Sequence, residues 1–101
     1  MYTLSMGKRL ETLKSNSAEI RAIAARHKAT SIAVFGSVAR GEDRADSDID
    51  FLVTFEESVS IRDWLLLNEE LGAFLKTSVD VVSSRGLKPR DTHIREEAIL
   101  L

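Results

Sequence analysis

Residues 36–50 read Gly36-Ser37-Val38-Ala39-Arg40-Gly41-Glu42-Asp43-Arg44-Ala45-Asp46-Ser47-Asp48-Ile49-Asp50. A Gly-Ser pair is followed, after ten residues, by two aspartates that flank one apolar residue. Upstream lies Ser31-Ile32-Ala33-Val34-Phe35, short, apolar and partly β-branched, and downstream the apolar run continues as Phe51-Leu52-Val53. The segment therefore reads as strand, tight turn, strand. Side chains alternate along a strand, which places Asp48 and Asp50 on one face and turns Ile49 and Phe51 toward the core. Two carboxylates side by side repel each other unless a cation lies between them. An oxygen-only pair suits Mg²⁺ or Mn²⁺, which leave coordination sites free for phosphates. Four residues fixed at these positions arise by chance in about one chain in a thousand of this length. A hairpin with an acidic, solvated loop is the plainer alternative, but it does not account for Gly-Ser directly after one strand and Asp-Ile-Asp at the entry to the next.

The Gly-Ser end supplies the other half of a nucleotide site. Gly36 follows a strand and tolerates backbone angles that let a ligand approach the main chain. Ser37 is expected to N-cap a short helical turn through Val38, Ala39 and Arg40, where free N–H groups and the helix dipole favour an anion. Arg40 either holds phosphate oxygens bidentately or pairs with Glu42 or Asp43 in the loop. Arg44 and Asp46 read as solvated charges. Ser47 is placed either at the nucleotide or simply at the strand entry.

The fuller string, Phe35 to Gly41 with Ser47-Asp48-Ile49-Asp50, resembles the minimal nucleotidyltransferases of the polymerase β-like superfamily. The resemblance extends from the helix before Phe35 to Val79-Asp80-Val81-Val82. It implies an α/β (α+β) fold with a small mixed sheet, and a third metal carboxylate at Asp80. Asp80 also stands out without it. An ionised carboxylate inside a short apolar strand costs several kcal/mol unless a cation or donors compensate it, although a paired or edge-exposed position would do the same.

Length and composition set the frame. The 101 residues are read as one domain, 1–101, with 44% hydrophobic and 30% charged residues. The chain has no cysteine, which excludes disulfides and thiolate metal sites. A formal charge of −2 gives no basis for non-specific nucleic-acid binding. No membrane span or signal-peptide pattern is read, so the expected location is cytoplasmic.

The element order alternates. A short helix is expected over residues 4–13, then a firmer one capped by Asn16 or Ser17 with Ile20, Ile23 and Ala24 as its apolar stripe. Strands follow at 31–35 and 50–55. Ser58 or Ser60 opens a longer helix with Ile61, Trp64, Leu65, Leu71, Phe74 and Leu75 inward, and a strand at 79–82 comes next. Pro89 starts a last helix carrying Ile94, Ala98 and Ile99. These elements make a mixed sheet of three or four strands with helices on one face. Trp64 reads as core rather than as a base-stacking platform, and His27 and His93 read as surface or dipole-capping residues without metal-ligand spacing.

The resemblance implies transfer of AMP from ATP with two Mg²⁺ ions (or Mn²⁺) held by Asp48, Asp50 and Asp80. Gly36, Ser37, Arg40 and Ser47 would hold the nucleotide, and Asp80 would be the base for the acceptor. Relatives of this kind are antitoxins that modify a tyrosine of a HEPN-type RNase toxin. Two other classes stay open: an antitoxin that acts by contact alone, and a nucleotidyltransferase for a small molecule such as an aminoglycoside that forms its acceptor cleft as a homodimer.

Overall fold

Alternation along one strand, broken only by buried Leu52, sets the architecture. The computed structural model describes residues 8–44 and 46–101. In β2 (Ile49–Phe55), Ile49, Phe51, Val53 and Phe55 are buried on one face, while Asp50 and Thr54 stay half-buried on the other. β1 (Ala29–Phe35) pairs with β2 antiparallel, and the tight turn expected between them is a longer connection, residues 36–48, that contains a short helix. β3 (Val79–Ser83) pairs with the other edge of β2 in parallel, reached through the crossover helix α4 (Ile61–Leu75). A short β4 (Ile99–Leu100) closes the sheet antiparallel to β1, giving the order β3-β2-β1-β4. The expected mixed sheet is thus present with four strands.

One hydrophobic cluster joins the sheet to its helices. The helix α2 (Ser17–Arg26) contributes Ile20, Ile23 and Ala24, the stripe expected from its spacing, and α1 (Lys8–Ser15) contributes Leu13. The structure replaces the expected helix over 4–13 with α1; residues 4–7 lie outside the described residues. Asn16 holds the N-cap position of α2 but makes no side-chain cap bond, because its Nδ2 donates back to the Thr12 carbonyl at 2.8 Å. A true capping box opens α4: Ser60 Oγ accepts the Asp63 N–H at 3.2 Å, and the Asp63 carboxylate accepts the Ser60 N–H at 2.9 Å.

The inward face of α4 differs from expectation. Leu67 and Leu71 are fully buried, and Trp64 and Leu75 pack against the cluster, whereas Ile61 is 77%, Leu65 54% and Phe74 39% exposed. Apolar residues on this helix outnumber the positions that one face can bury, so the sheet takes the 64-67-71-75 row and leaves the rest in solvent. Trp64 is core, and its Nε1–H donates to the Val81 carbonyl at 2.9 Å.

The C-terminal end also departs from the sequence reading. Pro89–Asp91 forms a separate 3₁₀ turn, and the helix α5 spans only Thr92–Glu97. Ile99, expected on that helix, lies in β4 opposite Val34. A strand there satisfies the outer N–H and C=O groups of β1, which a longer helix would leave open. Among the described residues, no helix is long and apolar enough to cross a membrane.

Candidate functional site

The register of the sheet sets two of the expected carboxylates, Asp50 and Asp80, side by side. Asp50 lies on the sheet face opposite the core, with Phe35 of β1 on one side and Asp80 of β3 on the other. Asp48 stands one residue before β2 and is exposed, as is Asp80. Burial first, then the charges of Asp80, Asp48 and Glu97, push the Asp50 carboxyl above its ordinary range, with Arg40 opposing them. An acid crowded by three others marks a place where a cation is favoured. Among the described residues, no group of three His, Cys, Asp or Glu side chains is placed so as to hold a metal ion. Mg²⁺ itself needs only one or two protein carboxylates and completes its shell with water and substrate phosphates. The carboxylate oxygens of Asp48, Asp50 and Asp80 are of the donor type that a hard divalent ion takes.

The turn after β1 lies directly against this carboxylate. It forms the short helix α3 (Gly36–Arg40), entered through extended Phe35 with no side-chain cap bond, so the cap expected of Ser37 is not made. The Ser37 carbonyl instead accepts N–H groups of Gly41 and Glu42, and fully buried Val38 anchors the turn in the core. Gly36 has φ +75°, and a Cβ built there would stand 2.5 Å from Asp50 Oδ2. Only glycine combines this left-handed angle with such a close approach. Arg40 is exposed and donates to Glu42 and Glu97 at 2.9 Å each. Those bonds raise its already high pKa, with Glu42 contributing most. Asp43, the other partner considered for it, is turned elsewhere.

Asp43 is held by a residue that sequence reasoning passed over. Arg9 of α1 lies 3.6 Å from Asp43 Oδ2 and donates to the carbonyls of Arg44 at 2.9 Å and Ser47 at 2.7 Å. Its second guanidinium nitrogen donates to Thr77 Oγ1 at 3.0 Å. One side chain thus ties the loop before Asp48 to the turn before β3, which carries Asp80. Ser47 shapes the same loop, its Oγ accepting the Arg44 N–H at 2.9 Å. Arg44 and Asp46 are exposed, as expected. Asp43 is almost completely buried, and its Oδ1 has no hydrogen-bond partner among the described residues. Removing the guanidinium would leave that charge uncompensated. Arg9→Ala is expected to lower stability by about 2–3 kcal/mol in urea unfolding. Arg9→Lys should recover only part of it, because an ammonium cannot span three separated acceptors.

The histidines stand apart from these carboxylates. His27 sits at the C-terminal end of α2, with Nε2 2.7 Å from Glu70 Oε1, and Arg26 pairs with the same carboxylate. His93 is exposed on α5.

Comparison with known proteins agrees with this geometry. The family model described as Polymerase beta, Nucleotidyltransferase matches residues 18–100. A protein adenylyltransferase MntA of Thermococcus cleftensis is 49% identical over 57 residues. The alignment covers 56% of this chain and spans only 58% of that relative's length. A solved structure of a putative minimal nucleotidyltransferase superposes with a TM-score of 0.82 at 47% identity, covering 91% of this chain and 95% of that one. A chain of the complex between tri-AMPylated Shewanella oneidensis HEPN toxin and MNT antitoxin shares the fold, with a TM-score of 0.64 at 20% identity over 86% of this chain and 69% of that one. With the Gly-Ser turn, the Asp-Ile-Asp strand and the parallel third strand all inside the matched region, the chain belongs to the polymerase β nucleotidyltransferase family.

Proposed function

We propose that this chain transfers AMP from ATP to a hydroxyl of a partner protein, a tyrosine of a HEPN-type toxin, and thereby acts as its antitoxin. The observation that carries the reading is Asp50, crowded by Asp48 and Asp80 and packed against Gly36. The name of the Thermococcus relative and the AMP-bearing toxin in the Shewanella complex support the choice of group and acceptor.

Asp48, Asp50 and Asp80 would hold divalent metal, which supplies charge neutralisation for the triphosphate and the departing pyrophosphate. The Gly36–Arg40 turn receives the phosphates. Gly36 has no side chain to block the approach, Ser37 offers a hydroxyl, and Arg40 offers a guanidinium. Asp80 is exposed on the neighbouring edge strand, where an acceptor arriving from outside can reach its carboxylate. A carboxylate oxygen of Asp80 takes the acceptor proton as the acceptor oxygen bonds to the α-phosphorus and the bond to pyrophosphate breaks. The exposure of both Asp48 and Asp80 suits an acceptor presented by a second protein.

The test uses the full chain, ATP, Mg²⁺ and a HEPN-type partner. The partner should gain the mass of AMP while pyrophosphate is released. Asp80→Asn should stop transfer and keep ATP bound, because Asp48 and Asp50 remain. If Asp80→Asn still silences the partner with no AMP attached, contact alone is the mechanism and the transferase reading fails.

A further inference from the structure

Two groups assigned to the phosphates are already engaged by an anion of the chain itself. Glu97, the last residue of α5, accepts the Gly36 N–H on Oε2 and an Arg40 guanidinium N–H on Oε1, each at 2.9 Å. A carboxylate bridging a backbone N–H and a guanidinium takes the place that phosphate oxygens would take. Burial works to raise the Glu97 carboxyl, but the Gly36 N–H and Arg40 outweigh it and hold the group below the usual carboxylate range. The same charge also bears on Asp50. A triphosphate cannot share these donors with Glu97, and the two anions repel.

The element that carries Glu97 is lightly held. α5 has six residues and none of them is buried. Arg95 ties it to the Ser84 carbonyl at 2.8 Å. Beyond it, Ile99 pairs with Val34, the Leu101 N–H donates to the Ile32 carbonyl at 3.0 Å, and the Leu101 side chain enters the core. The end of the chain is therefore pinned while the helix before it has little buried surface to lose.

We infer that Glu97 is an internal counter-ligand of the phosphate-binding turn, displaced by the triphosphate and setting the affinity for nucleotide. The inference rests on the assignment of the Gly36–Arg40 turn to phosphate. Nucleotide then binds only the fraction of molecules in which Glu97 has released its donors, and the apparent affinity falls by that fraction. For charge-assisted bonds at a partly exposed site, that is roughly a three- to thirtyfold weakening.

Titration calorimetry on the full chain decides it, with Mg·ATP, inorganic tripolyphosphate and adenosine as probes. Glu97→Gln keeps the shape and an acceptor while removing the charge, and Glu97→Ala removes both. Both should bind Mg·ATP and tripolyphosphate roughly three- to thirtyfold more tightly than wild type, with adenosine unchanged. Glu96→Gln, an exposed neighbour, should match wild type. In wild type, the Gly36 amide resonance should move when tripolyphosphate is added, as its carboxylate partner is exchanged. If wild type binds the phosphate probes and the Glu97 variants bind them equally or more weakly, the counter-ligand role is overturned and the assignment of the turn stands. If folded wild type and variants all fail to bind either phosphate probe, both are overturned.

Discussion

Replacing Asp48 and Asp50 together by Asn is expected to lower AMP transfer roughly a thousandfold or more while the protein stays folded. Several kcal/mol of transition-state charge stabilisation depend on metal held at such carboxylates, and each 1.36 kcal/mol is about a factor of ten in rate. Stability should move the other way. The Asp50 carboxyl titrates above its ordinary range in the fold because burial and then Asp80, Asp48 and Glu97 disfavour its charge. Its folded-state pKa therefore exceeds its unfolded value, so the ionised group destabilises metal-free protein above that raised range, and the penalty fades as pH falls through it. Asn at 48 and 50 removes the crowding at neutral pH. The melting temperature of the double variant in chelator should equal or exceed that of wild type. Added Mg²⁺ should raise the melting temperature of wild type alone, since only it keeps the carboxylate pair proposed to bind the ion. Wild-type transfer in the double variant would overturn the assignment of these two residues.

The parts of this site that were legible in the sequence are those that lie on regular strands. Alternation at Ile49, Phe51 and Val53 with Asp50 between them gives the buried and open faces of β2 directly. The apolar run at Val79–Val82 marks a third strand, but its parallel pairing with β2, which sets Asp80 opposite Asp50, is visible only in the folded sheet. The buried face of α4 was less legible, because spacing of three and four can be drawn through Ile61 and Leu65 as readily as through Trp64, Leu67 and Leu71. Only the sheet chooses between them. β4 is two residues long, too short for any alternation to appear, and it is defined by the edge of β1 that it covers.

Arg9 and Glu97 were missed for a different reason. Neither belongs to a motif, and both reach the Gly36–Asp50 segment through space from opposite ends of the chain. The local signal at each was one charge among charged neighbours on a short helix, Lys8 beside Arg9 and Arg95-Glu96 beside Glu97, which a solvated surface explains equally well. Their partners are backbone groups in large part: the carbonyls of Arg44 and Ser47 for Arg9, and the N–H of Gly36 for Glu97. Side-chain patterns carry no record of such partners. The Gly-Ser and Asp-Ile-Asp residues stand out as candidates because their own chemistry points to phosphate and metal. The residues that brace them have chemistry that becomes specific only in the folded chain.

Gly36→Ala should separate stability from activity more sharply than any change among the acids. At φ +75° an alanine is strained, at a cost of about 1–2 kcal/mol in urea unfolding. The new Cβ would stand 2.5 Å from Asp50 Oδ2 and 3.4 Å from Asp50 Cγ, so something has to shift. The atoms it meets are the far end of a side chain, and the Asp50 carboxylate can rotate away without dismantling the strand. The fold therefore survives, but Asp50 leaves the position in which it faces Asp48 and Asp80. Transfer is expected to fall close to the level of Asp50→Asn. Gly41→Ala provides the control, since Gly41 sits at φ +71° at the other end of α3 and bears the same backbone strain. It should lose similar stability and keep most of its transfer activity. Wild-type transfer in folded Gly36→Ala would show that the close approach of the turn to Asp50 is not needed for the reaction.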